Sequence, residues 1–202
     1  MLQILVGSMQ NFTYLIWDED TKEAAVIDPS WDLEKVLEEA EARNLKIKYI
    51  LNTHTHYDHC IGNEQIKKKT DAITVGGTGA KVKLDKIIKD GEQITLGNSK
   101  ITALSTPGHS PDGTCYLFEG NLFTGDTLFV GECGRTDLSG GSAEDLYESL
   151  FNKILKLDDS IKVYPGHDYG QSPYSTIGFE RKNNYTLQPR TKEEFVRFMM
   201  SP

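Results

Sequence analysis

The chain has 202 residues, 38% of them apolar and 26% charged, with a net charge of −8. That length and balance fit one globular domain with a real core, or two closely packed halves. The acidic charge, with no basic stripe, argues against a nucleic-acid partner, and no stretch reaches the ~20 apolar residues of a membrane span.

Met1-Leu2-Gln3-Ile4-Leu5-Val6 lacks a basic segment and a small-residue cleavage site, so it reads as a strand and not a signal peptide. β-rich runs follow at 12–17 and 23–27, separated by Gly7-Ser8 and Asp18-Glu19-Asp20, and Pro29 closes the third. Asp32 is placed to cap a helix whose apolar residues, Leu33, Val36, Leu37 and Ala40, repeat at helical spacing. Residues 47–51 read as a strand. The segment Thr53-His54-Thr55-His56-Tyr57-Asp58-His59 is then the loop leaving its C-terminal end, where open α/β sheets hold their ligands. A short helix is expected over 63–69.

The second half repeats the plan loosely. Strands are expected at 94–96, 100–104, 114–118 and 121–123. Ser142 caps a helix with Leu146, Leu150 and Ile154 on one face. A strand at 161–164 ends at Gly166-His167, and Thr191 with Glu194 forms a capping box for a last helix over 192–200. Two β-rich halves with helices outside them imply an α/β fold, a four-layer αββα sandwich. Its ligand-bearing loops would converge at one edge of the two sheets.

All five histidines fall in three motifs: H-x-H-x-D-H at 54–59, Thr106-Pro107-Gly108-His109, and Pro165-Gly166-His167. Asp126 adds a carboxylate in Phe123-Thr124-Gly125-Asp126. Histidine is the commonest protein ligand for divalent transition metals. His54 and His56 are two apart, so on an extended loop their rings point the same way and grip one ion. Asp58 and His59 diverge from that pair and can serve a neighbouring ion. His109 and His167 sit in turns after different strands, so each can complete a different site, and Asp126 is placed to bridge. One histidine alone is more often a satisfied polar residue than a ligand. The whole set, with Gly62 after the first motif, is too specific for that account.

His54-x-His56-x-Asp58-His59, His109, Asp126 and His167 together resemble the metallo-β-lactamase superfamily over nearly the full chain. The resemblance implies the αββα sandwich, one metal site from His54, His56 and His109, and a second from Asp58, His59 and His167, with Asp126 bridging. An aspartate at 126, where a thiolate is the alternative, resembles the glyoxalase II branch and not true zinc β-lactamases. The leading expectation is a cytoplasmic metal-dependent hydrolase of a small thioester. It would hold two divalent ions (zinc, iron or manganese) and act on a small-molecule thiol-derived substrate, with no nucleic-acid or membrane partner. A hydroxide between two cations is a nucleophile at neutral pH, and one metal polarises the attacked carbonyl. Asp58 can orient the attacking water. A thioester fits because its leaving thiolate needs little protonation.

Two sub-branches compete. Residues 122–129, with Asn11-Phe12, resemble glyoxalase II. Cys133-Gly134-Arg135-Thr136-Asp137, and the tails at 175–181 and 194–198, resemble the persulfide dioxygenases. That alternative implies one Fe(II) held by His54, His109 and Asp126, the facial triad of non-haem iron oxygenases. Only about 35 residues follow His167. They are too few for the helical C-terminal domain with which glyoxalase II helps bind glutathione, so the thiol carrier stays open.

Three further residues are candidates for substrate contact. Arg135 can clamp a carboxylate or pair with Asp137 to pin its loop. Tyr169, close after His167, can hydrogen-bond substrate or pack. Arg181 can meet an anionic thiol carrier or remain a surface arginine. The three cysteines are far apart with no CxxC spacing, which points to a reducing cytosol without a disulfide scaffold. Cys60 and Cys115 read as small buried residues, and Cys133 lies in a Gly-rich loop near the site, where oxidation would matter. Lys67-Lys68-Lys69 reads as a solvated helix end. Phe195, Phe198 and Met199 have the spacing to pack the last helix. Oligomeric state leaves no mark in the pattern.

Overall fold

In a computed structural model, residues 1–200 are described. The first sheet holds β1 (Leu2–Val6), β2 (Asn11–Trp17), β3 (Glu23–Ile27), β4 (Lys46–Leu51), β5 (Ile73–Gly76) and β6 (Lys86–Ile87), side by side in that order. β1 to β3 run antiparallel, and β3 to β6 run parallel. The second sheet holds β7 (Gln93–Leu96), β8 (Ser99–Ser105), β9 (Thr114–Phe118), β10 (Asn121–Gly125), β13 (Lys162–Pro165) and β14 (Ser175–Thr176), in the order β14-β13-β10-β9-β8-β7. A small hairpin, β11 (Leu128–Phe129) with β12 (Glu132–Cys133), lies apart from both.

β2 shows why the strands stack in layers. Successive side chains of a strand point to opposite faces. Phe12, Tyr14 and Ile16 enter the core between the sheets, where they meet Phe123 and Tyr164. Leu15 and Trp17 point outward, to the core under α1 (Leu33–Ala42). Both faces of the strand are covered, so its apolar run is nearly continuous. Tyr14 and Phe123 meet edge-on at 4.9 Å. Large side chains buried this completely contribute about 1.5–3 kcal/mol each. The outer face of the second sheet packs on α4 (Ala143–Tyr147) and its continuation, α5 (Ile177–Asn183) and α6 (Lys192–Met200). The layers are therefore helix, sheet, sheet, helix, as the sequence pattern predicts.

Two caps behave as expected. Ser142 Oγ accepts from the Asp145 N–H, and Thr191 and Glu194 exchange their hydrogen bonds at 2.8 and 3.2 Å. Asp32 does not. It sits at the N-cap position with φ 53°, makes no side-chain cap, and accepts instead from the Gly7 N–H at 3.1 Å. Its carboxylate pins the β1–β2 turn. The helix after Ser142 also differs from expectation. It widens to a π-helix over Glu148–Lys153 and closes in a 3₁₀ turn at Ile154–Lys156. Leu146, Leu150 and Ile154 are spaced by four, more than the about 3.6 residues of an α turn, and the wider winding keeps all three on one buried face. The segment expected as a loop after β4 contains a helical turn, α2 (Tyr57–Cys60), before α3 (Asn63–Lys69). β5, β6, β11, β12, β14 and α5 have no counterpart in the sequence reading; β6, β11, β12 and β14 have two residues each, too few to show a period. No helix among the described residues is long and apolar enough to cross a membrane.

Candidate metal centre

β8, β10 and β13 run in one direction, because β8 and β10 both pair antiparallel with β9 and β13 pairs parallel with β10. Their C-terminal ends share an edge, and the loops leaving them carry His109, Asp126 and His167. β4 delivers His54 and His56 from the facing sheet. The sheets are tied there by Thr114 N–H donating to the Thr53 carbonyl at 2.7 Å. The turn before His109 requires glycine: Gly108 has φ 141°, and a Cβ on it would lie 2.4 Å from the Leu146 Cα. α2 turns Asp58 and His59 inward, where the His59 ring lies 4.1 Å from that of His54.

The seven expected ligands meet in two adjoining sets. Ligand atoms of His54, His56 and His109 all lie within 4.8 Å of one another, and so do those of Asp58, His59 and His167. His109 Nε2 is 3.0 Å from His56 Nδ1, and His59 Nε2 is 3.2 Å from His167 Nε2. Two nitrogens on one tetrahedral zinc stand about 3.3 Å apart, given Zn–N bonds of about 2.0–2.1 Å. Asp126 reaches both sets, at 3.4 Å from His59, 3.4 Å from His167 and 3.6 Å from His109. His54 Nε2 and Asp126 Oδ1 are buried and make no hydrogen bond within the protein. Orphaned polar atoms of this kind cost free energy unless something meets them. A cation among these groups would, so the donor set fits divalent metal.

In three of the five histidines the outer ring nitrogen is held by a carboxylate or carbonyl, which fixes the tautomer. His59 Nδ1 lies 3.0 Å from Asp28 Oδ2, His109 Nδ1 2.8 Å from the Arg135 carbonyl, and His167 Nδ1 2.9 Å from the Met9 carbonyl. Asp28 could pass for a ligand beside His54 and His59. Its oxygens are already committed: Oδ1 accepts from Thr53 N–H at 2.7 Å, and Oδ2 from Thr53 Oγ1 at 2.6 Å and from His59. It is a support for the cluster. Asn11 Nδ2 donates to Asp58 Oδ2 at 2.9 Å, and Ser30 Oγ donates to the Asp58 carbonyl at 2.6 Å. The sequence reading missed Asp28 and Ser30 and gave Asn11 no role. The available signal was Asp28-Pro29 ending a strand, with Asp28 at φ 48°.

The electrostatics follow from this packing. Burial drives His54 well below the usual imidazole range and lowers His56. Burial also opposes charge on His59, but Asp126, Asp28 and Asp58 outweigh it and raise the ring well above that range. His167 is raised to about 9, again against burial, by Asp126 and Asp58. Asp58 and Asp126 are held low despite burial, by His167 and His59. The carboxylates therefore stay ionised and favour positive charge between them, whether carried by protons or by metal.

A cavity of about 640 Å³ opens over the cluster, with Phe129, Leu138, Phe198 and Met199 in its walls. Tyr169 lines it and stacks on His167 at 4.6 Å, with 8° between the rings. Arg135 also lines it, and its guanidinium grips Asp137 through two 2.5 Å bonds. Arg181 is not there. Its guanidinium donates to the Leu155 and Leu157 carbonyls at 2.6 and 3.3 Å and pairs with Asp159, closing the helix that follows α4. The expectation of an anion contact at Arg181 is corrected accordingly: its donors serve a helix end. Cys133 lines the cavity as a buried thiol that burial pushes up to about 12. Cys60 is pushed up to about 11 by burial and belongs to neither ligand set. Cys115 is buried in the core.

Residues 6–167 match the Metallo-beta-lactamase superfamily. The chain belongs to that superfamily. It is 35% identical over 199 residues to the probable polyketide biosynthesis zinc-dependent hydrolase PksB of Bacillus subtilis, covering 93% of this chain and 86% of that one. It is 44% identical over 168 residues to the cytoplasmic hydroxyacylglutathione hydrolase of Arabidopsis thaliana, covering 79% of this chain and 64% of that enzyme. It is 35% identical over 199 residues to the mitochondrial persulfide dioxygenase ETHE1 of Homo sapiens, covering 93% and 75%. The crystal structure of ETHE1 from Myxococcus xanthus superposes with a TM-score of 0.94 at 32% identity, covering 99% of this chain and 89% of that one. Hydrolase and dioxygenase names thus both stand among the relatives of this superfamily member.

Proposed function

We propose that the chain is a two-metal thioester hydrolase of the glyoxalase II type, acting on a small thiol-derived acyl substrate. The observation that carries this is the place of Asp126, one carboxylate within 3.6 Å of histidines from both ligand sets. In the mononuclear alternative the same seven residues are kept, and Asp58, His59 and His167 only support the set that holds the iron. In the two-metal reading His54, His56 and His109 hold one divalent ion, Asp58, His59 and His167 the other, and Asp126 is shared. Two such ions supply Lewis acidity toward a carbonyl and make a hydroxide available at neutral pH. Asp58, ionised and fixed by Asn11, accepts a hydrogen bond from the attacking water and aims it. Asp28 keeps Nε2 of His59 directed inward. Phe129 and Tyr169 shield the far side of His167 from solvent.

The test is metal content by mass spectrometry alongside hydrolysis of lactoyl and acetyl thioesters. Two ions per chain with turnover are expected. One ion per chain at full rate sinks the proposal.

A second reading, persulfide dioxygenation at one Fe(II), is favoured by one observation. The two ligand atoms buried without a hydrogen-bond partner, His54 Nε2 and Asp126 Oδ1, belong to the triad of His54, His109 and Asp126 that this chemistry uses. The 0.94 TM-score to an ETHE1 structure supports the same side. Oxygen uptake with sulfite release on adding glutathione persulfide to anaerobically purified, iron-loaded protein decides for it.

A further inference from the structure

The cavity above the metal centre does not end at its own walls. A second cavity, of about 610 Å³, shares Glu132, Tyr169 and Tyr185 with it. Together they make a trough from the ligand cluster past the β11–β12 hairpin to the surface beside Phe179. Its sides are rings: Tyr169, Phe179 and Tyr185 are each about half exposed, at 56%, 47% and 52%. Its charge is one-sided. Among the described residues lining either cavity, Arg135 is the one permanent cation, and the Nε–Nη2 edge of its guanidinium is held by Asp137. Arg190 lies behind the wall, stacked on Phe198 at 4.3 Å and donating to the Tyr185 and Thr186 carbonyls. Apart from the metal-cluster carboxylates Asp58 and Asp126, the carboxylate in the wall is Glu132, at the junction of the two cavities, where it accepts a hydrogen bond from the Tyr185 hydroxyl.

A long trough with aromatic sides and a carboxylate where its two cavities meet takes an extended uncharged chain. It disfavours a thiol that carries carboxylates of its own, because like charges across such a gap repel.

We propose that this site acts on thioesters of an elongated, uncharged thiol, and that Glu132 is the residue selecting against anionic thiols such as glutathione. The inference rests on the hydrolase reading. It deepens that reading by naming the class of thiol and the side chain that chooses it. The thiol arm lies along Tyr169 and Tyr185, and the acyl group sits toward Phe198 and Met199. Glu132 touches the arm and not the reacting carbonyl, so its effect falls on KM and leaves kcat alone.

The experiment compares acetyl thioesters of pantetheine, N-acetylcysteamine and glutathione on the metal-loaded protein. Wild type should favour pantetheine over glutathione by at least about tenfold in kcat/KM. Glu132→Gln keeps an acceptor for Tyr185 and removes the charge. It should improve glutathione thioester turnover by about fivefold, through KM, as expected for losing one weakly screened unit repulsion, and shift the pantetheine thioester by less than twofold. Tyr185→Phe removes the hydrogen bond and keeps the charge, so the discrimination against glutathione should persist. Calorimetric binding of the unreactive S-methyl thiols should follow the same order.

The proposal is overturned if wild type takes the glutathione thioester as well as the pantetheine one, or if Glu132→Gln moves both equally. If no thioester is cleaved by protein with its metal verified, the hydrolase reading itself fails and takes this inference with it.

Discussion

Replacing Asp28 by asparagine tests whether the cluster is set from outside its own ligands. The side chain keeps its size. Its Oδ1 position must still accept the Thr53 N–H, so the new NH₂ group occupies the Oδ2 position. That group faces Thr53 Oγ1 at 2.6 Å and His59 Nδ1 at 3.0 Å. Thr53 can turn its hydroxyl and accept. His59 must then carry its proton on Nε2, the nitrogen that faces Asp58, Asp126 and His167. A protonated nitrogen cannot bind metal. Loss of such a supporting carboxylate costs about 10–100-fold in metal affinity. One charge-assisted hydrogen bond lost in the interior costs a further about 1.5–3 kcal/mol of stability. The assay is competition against a calibrated chelator, reading both metal equivalents, with urea unfolding of the same samples. In the two-metal reading, the equivalent held by Asp58, His59 and His167 should weaken about 10–100-fold, and the His54–His56–His109 equivalent far less. If Asp28→Asn binds both ions as wild type does, Asp28 does not set the tautomer of His59.

Further outcomes follow from the same geometry. Gly166→Ala would bring a Cβ to 2.4 Å from Asp126 Oδ1 and 2.9 Å from His59 Cε1. Metal stoichiometry and thioester turnover should both collapse while far-UV circular dichroism stays near wild type. In the two-metal reading, His167→Ala should leave one ion per chain by mass spectrometry and remove most of the hydrolytic rate. An unaltered rate would count against that reading. Asp85 is lowered to about 2 by Lys67 and by Thr74. A carboxyl with a depressed folded pKa stabilises above its unfolded value near 4, and that stability is lost as pH falls through about 2. Asp85→Asn should therefore be less stable than wild type at pH 7, with the gap closing between about pH 4 and pH 2 in denaturant titrations of metal-free protein. Burial pushes the Cys115 thiol up to about 11 and the Cys133 thiol up to about 12. Folded protein at pH 8 should resist iodoacetamide at both, and guanidinium-unfolded protein should react within minutes.

The ligands and the long elements were legible along the chain for local reasons. A strand such as β2 announces itself through β-rich composition, and the helix ends at Ser142 and Thr191 through side chains bonding three residues ahead. Each ligand motif sits at a strand end or tight turn that its own neighbours define. The misses come from contacts between distant segments. Asp32 has the residue type of a cap, yet its acceptor went to Gly7, 25 positions earlier. Arg181 has the charge for an anion site, yet the carbonyls at Leu155 and Leu157 took its donors.

By itself, then, the order of residues determined the donor chemistry, five imidazoles and two carboxylates, and the alternation of strands and helices that carries them. Tertiary structure alone decided which ring nitrogen faces inward, because that depends on Asp28, Met9 and Arg135 reaching the outer nitrogens from other parts of the fold. It also decided that Glu132 and Tyr185, 53 positions apart, meet where two cavities join. Hydrophobic periodicity is a property of neighbours along a chain. A hydrogen bond or a cavity wall is a property of neighbours in space, and packing the two sheets face to face brings those together.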